Sequence, residues 1–121
     1  MSADDWMDAL GVNLWDAETR ADVEQLQWQL TQELLRHGHT VIIEWGTWGR
    51  SERDALREGA RRVGAAVELH YLDVPVDLLW NRIQTRGLES PPMTRDQLNR
   101  YAQAIDIPTS DELAHYDENV R

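Results

Sequence analysis

The sequence predicts an α/β fold: an incomplete parallel sheet of two clear strands surrounded by about six helices. Three observations carry that expectation. Two short runs rich in apolar and β-branched residues, 40–43 and 66–74, read as buried strands. Stretches with helical periodicity stand before, between and after them. Strands that alternate with helices imply parallel pairing, with the helices on the faces of the sheet.

Each element has a local signal. Ser2-Ala3-Asp4-Asp5 has capping-box spacing ahead of Trp6, Met7 and Leu10, and predicts a short helix that ends near Gly11. A second helix is expected over 16–36. Val23, Leu26, Leu30 and Leu34 share one face of it, and Gly38 stops it. The strand 40–43 follows, and 44–49 forms a loop at its C-terminal end. Ser51 with Asp54 starts another helix, with Leu56, Ala60 and Val63 inward and Gly64 at its end. The second strand, 66–74, closes at Pro75. Val76, Leu79, Trp80 and Ile83 then give a helical stripe up to Gly87. A loop over 88–93 contains Pro91 and Pro92. Thr94 with Gln97 caps a helix that carries Leu98, Tyr101, Ala102 and Ile105. Thr109 with Glu112 opens a last short helix.

Composition narrows the function. At 121 residues the chain fits one domain, 1–121, with one core, and 41% apolar residues suit a globular protein. No apolar run approaches the roughly 20 residues of a membrane span, and no secretory signal opens the chain. A cytoplasmic protein is expected. There are no cysteines, which excludes disulfides and thiolate metal sites. The formal charge is −10, with 22 acidic residues against 12 basic ones, and this argues against a nucleic-acid partner. All twelve basic residues are arginine. Arginine clamps phosphate or carboxylate well, but a chain without lysine has no Walker lysine and no Schiff-base lysine.

Ligands of open parallel sheets bind beyond the C-terminal ends of the strands. That points to the loop 44–51 and to the turn 73–75. Glu44, directly after the first strand, reads either as a holder of a metal-bound water or as a polar loop residue. Trp45 and Trp48 are the candidate ligand walls. Asp4 and Asp5 read either as a general base toward a substrate hydroxyl or as capping carboxylates at a helix N-terminus. Arg82 and Arg86 lie one helical turn apart. They could clamp phosphoryl oxygens or form weak surface pairs with Asp77 or Glu89. Arg50, Arg53 and Arg57 allow the same two readings. The four histidines, His37, His39, His70 and His115, lack metal-ligand spacing with carboxylates.

Taken together, several segments resemble a bacterial family of AAA-type P-loop ATP-binding proteins. They are SADDWM at 2–7, LWD at 14–16, IIEWGTWGRSERD at 42–54, VELHYLDVPVDLLWNRIQTRG at 67–87, PPMTRDQL at 91–98 and PTSDEL at 108–113. The family looks like small-molecule kinases related to zeta toxins and chloramphenicol phosphotransferase. The resemblance implies a P-loop-kinase-like domain whose first strand lies between the strands at 40–43 and 67–73. That strand leads into Gly-x-x-x-x-Gly-Lys-Ser/Thr and a helix. None of these three elements is found in 1–121.

The resemblance also implies roles. Asp4 matches the base for an acceptor hydroxyl, and Glu44 matches the acidic residue after the third strand. Arg50 and Arg53 match basic residues near the acceptor, while Arg82 and Arg86 match arginines of the lid over ATP. ATP and Mg²⁺ are the implied cofactors, and a small hydroxyl-bearing molecule is the implied substrate. Arg50, Arg53 and the tryptophans suggest a polar or anionic ring-bearing acceptor. Two readings follow. One is the body of an ATP-dependent small-molecule phosphotransferase, truncated or degenerate and inactive as this chain, with tight ATP binding not expected. The other is a pseudo-kinase that serves as a binding module, homodimeric through its open sheet edges or joined to a partner.

Overall fold

The capping signals at Ser2, Thr94 and Thr109 are obeyed in the computed structural model of the chain, which describes residues 1–46 and 49–118, whereas the helix expected to start from Ser51 starts at Arg50, after Gly49, with no side-chain cap. Helix α1 spans Ala3–Ala9, and the Ser2 hydroxyl accepts from the Asp5 amide at 3.3 Å. Helix α2 spans Ala17–Arg36, capped by the Asp16 carboxylate on the Thr19 amide. Helix α3 is Arg50–Arg62 and α4 is Val76–Arg86. Helix α5, Arg95–Ala104, carries the full reciprocal capping box of Thr94 and Gln97. Helix α6, Ser110–Leu113, starts from Thr109. Gly87 adopts φ 62° after α4, the left-handed conformation that a side chain resists.

The two expected strands are not there, and this corrects the predicted sheet. Among the described residues no β-strand forms. The only ladder-like contact among them is one isolated parallel bridge, Ser2 to Glu44. It rests on the Glu44 amide donating to the Met1 carbonyl at 2.8 Å and on the Met1 amino group donating to the Ile42 carbonyl. Residues 66–74 also lie outside any regular element. Val67 is their one backbone position paired with a described residue: its carbonyl accepts from the Asp117 amide at 2.8 Å, and its amide donates to the Asp117 carboxylate at 2.6 Å. The physical reason is that β-structure is a property of pairs. Burial alternates along 41–43 and 65–70 as in a strand, but neither segment has the other beside it to complete a ladder.

The buried face of α2 also differs from the expected one. Leu26 and Leu30 are exposed, at 60% and 43%. The stripe that faces inward is Val23, Gln27 and Thr31, spaced by four residues. Two polar residues can be buried there because both are satisfied. Gln27 donates to the Ser2 carbonyl at 3.0 Å and accepts from the Trp45 indole at 2.8 Å. Thr31 donates to the Met1 sulfur at 3.5 Å. On α3 the inward residues are Arg53, Arg57 and Ala60, with Leu56 and Val63 only partly buried.

The core is small. Ala3, Met7, Leu14 and Val23 are buried together, with Val12, Trp45 and Leu88 against them. Helix α1 packs on α2, and α4 on α5. The loop between α4 and α5 is tied to the turn between α1 and α2. Asn13 donates to the Ser90 carbonyl at 2.7 Å, and the Trp15 indole donates to the Pro91 carbonyl at 2.6 Å. Near these bonds Arg86, in the last turn of α4, reaches Asp4 in the first turn of α1. Among the described residues no helix is long and apolar enough to cross a membrane.

Candidate functional site

Three helix ends meet at Asp4. It sits in the first turn of α1, fixed by the Ser2 cap. Arg20, in the first turn of α2, donates to Asp4 Oδ1 at 2.6 Å and to the Leu14 carbonyl at 2.8 Å. Arg86, in the last turn of α4, donates to Asp4 Oδ2 at 3.2 Å and pairs with Glu89. The Asp4 carboxylate is about a quarter exposed, and the guanidinium groups about a third and two-fifths. A carboxylate has roughly four acceptor positions, and these arginines use one on each oxygen. Asp4 can therefore still accept a proton or a hydrogen bond from a ligand.

Asp4 opens on a cleft of about 530 Å³, within the usual size for a small-molecule site. Trp15 and Tyr101 stand on its α1–α2 and α5 sides, and Glu44, Trp45 and Gly46 form another part of its wall. Glu24, one turn beyond Arg20 on α2, lines the same cleft. Burial pushes the Glu24 carboxyl above the usual carboxylate range, against the pull of Arg20 and with help from Glu52 and Asp4.

The structure therefore brings together four of the residues singled out from sequence: Asp4, Glu44, Trp45 and Arg86. The others lie elsewhere. Arg82 is exposed on α4 and does not line the cleft. Arg50, at the start of α3, donates its amide to the Asp106 carboxylate at 3.3 Å and pairs through its side chain with Asp54 at 3.4 Å. Arg53 is buried with α6, where Nε and Nη2 donate to the two oxygens of Glu112 at 2.7 and 2.8 Å. Trp48 lies outside the described residues.

Sequence reading missed Arg20, Glu24, Trp15 and Tyr101. Asp16, Arg20 and Glu24 follow one another at i, i+4 spacing, which reads as an ordinary surface ladder along one helix. Nothing in that spacing says that Arg20 turns toward Asp4, 16 residues upstream.

The fit of the implied ATP and Mg²⁺ can be judged from the donors present. The cleft has no lysine, and both of its arginines are engaged by carboxylates. Among the described residues no group of three His, Cys, Asp or Glu could hold a metal ion. The residues present do not by themselves fit a magnesium nucleotide. No curated protein and no solved structure matches the chain. A family model does match it, that of the AAA domain, over residues 1–108.

Proposed function

The chain belongs to the AAA domain family, whose members generally bind ATP and Mg²⁺, and from that premise we propose that it carries the acceptor cleft and lid of an ATP-dependent small-molecule phosphotransferase. The proposed relatives are zeta toxins and chloramphenicol phosphotransferase. The phosphate-binding loop of such an enzyme, Gly-x-x-x-x-Gly-Lys-Ser/Thr, is not among these 121 residues. In this reading the loop is contributed from outside them.

The observation that carries the reading is the clamp at Asp4. A carboxylate held from two sides, with free acceptor capacity toward a 530 Å³ cleft, suits a group that takes a proton from an acceptor hydroxyl. Arg86 belongs to a helical hairpin, α4 with α5, whose loop is pinned near the cleft. That suits a lid whose arginine is within reach of a transferring group. Arg82, Arg50 and Arg53 have no part in this proposal.

The test is calorimetry with Mg-ATP on the 121-residue protein, and on the same protein joined to a strand, P-loop and helix unit of about 30 residues. The 121 residues should bind more weakly than micromolar, and the joined protein should bind at least tenfold tighter and phosphorylate a hydroxyl-bearing acceptor. In that protein Asp4→Asn should lower turnover by about 10²–10⁴-fold. Micromolar binding by the 121 residues, or turnover unaffected by Asp4→Asn, would sink the reading.

A second reading, the homodimeric binding module, is favoured by a separate observation. Residues 68–74 make no backbone hydrogen bond with a described residue, and Leu72 among them is 77% exposed. Exposed, unpaired segments of this kind recruit another chain.

A further inference from the structure

The cleft at Asp4 adjoins a second hollow of about 420 Å³ on the other side of Trp45. Glu24 and Trp45 line both. Trp28 and Glu52 line the second. The charges of the two hollows are one-sided once the existing pairs are taken into account. Among the described residues the basic ones of the first are Arg20 and Arg86, and carboxylates already engage both. Among the described residues no basic one lines the second. Glu24, by contrast, is half-buried and forms no hydrogen bond or ion pair with a described residue. Glu44 and Glu52 are exposed carboxylates on the two rims, and neither side chain is paired with a described residue.

An anionic acceptor would meet three carboxylates and no uncommitted cation. A protonated amine would meet the opposite: a carboxylate short of solvation and two indole rings, which attract cations through their faces. We propose that this cleft takes an acceptor bearing a protonated amine beside a flat apolar group, with the ammonium at Glu24 in the hollow walled by Trp28 and Trp45. This rests on reading the Asp4 cleft as the acceptor pocket, and it reverses the charge that the sequence suggested for the acceptor. The net charge of −10 favours the approach of a cation from a distance as well.

Three probes of matched shape separate the alternatives: phenethylamine, 2-phenylethanol and 3-phenylpropionate. Binding is read from the indole N–H signals of Trp28 and Trp45, without nucleotide. The amine should bind about tenfold tighter than the alcohol, and the carboxylate more weakly than either. Glu24→Gln should remove the advantage of the amine and leave the alcohol unchanged. If that variant fails to fold, the ionic-strength dependence of the unaltered protein decides. Salt should weaken the amine and spare the alcohol. Equal affinity for the three probes, tighter binding of the carboxylate, or an amine preference that survives both Glu24→Gln and salt overturns the proposal. The phosphotransferase reading depends on Mg-ATP and on Asp4, so the failure of one is visible independently of the other.

Discussion

Arg53 and Glu112 show how little a residue's type says about its work. An arginine beside a predicted ligand loop invites a substrate role. Its side chain is instead 4% exposed, that of Glu112 is 1% exposed, and the two meet through two parallel hydrogen bonds. The hydrogen bond to Glu112 pushes the Arg53 guanidinium further up from its usual value. Breaking a buried pair leaves one charge without a partner, which costs about 3–5 kcal/mol. Glu112→Ala should therefore lower unfolding stability by about that much in urea, and Glu112→Leu with Arg53→Met should recover most of it. A loss of ligand binding with unchanged stability would point to a substrate role instead. Nearby, Arg57 stacks over Tyr116 at 5.2 Å and pairs with Asp54 at 2.7 Å, so three residues of α3 hold the C-terminal segment when Arg61, bound to the His115 carbonyl, is included.

At the scale of elements, the helices were legible because their ends are chemistry of near neighbours. Ser2, Asp16, Thr94 and Thr109 each accept from an amide three residues on, as the capping pattern requires. The faces were less legible. Periodicity selects Leu26 and Leu30 on α2, yet hydrogen bonds to Ser2 and Trp45 let Gln27 take the inward place. Helix α3 holds a case in which helix propensity and packing disagree. A glycine in a helix interior costs up to about 1 kcal/mol relative to alanine, so Gly59→Ala should stabilise an isolated helix. Here the added Cβ would lie 2.6 Å from Trp28 Cζ2. Thermal unfolding should show Gly59→Ala destabilised by about 1–3 kcal/mol. A rise in melting temperature would mean that Trp28 can swing away at little cost.

For the whole molecule, exposed area carries the argument. The chain exposes 8471 Å² at 14.0 kDa, whereas a folded monomer of that mass exposes about 6,700 Å². The excess, about 1,800 Å², is roughly twice the 800 Å² that each partner buries in a standard interface. It includes Ile42, Leu72 and the outer leucines of α2. Light scattering at micromolar concentration should give the mass of a dimer rather than 14.0 kDa. A sharp monomer would remove the case for self-association.

The sequence by itself determined which segments are helical, the absence of lysine and the acidic balance, and it singled out Asp4, Glu44, Trp45 and Arg86 as candidates. All of these depend on neighbours along the chain or on composition. Only the tertiary structure decided that 40–43 and 66–74 form no sheet, because a strand is defined by the chain beside it. It also drew Arg20 and Arg86 onto Asp4 from 16 and 82 residues away, and withdrew Arg53 into an ion pair with Glu112. Long-range pairing of this kind leaves no periodic trace. It depends on how α1, α2 and α4 converge, and spacing along one helix carries no information about that.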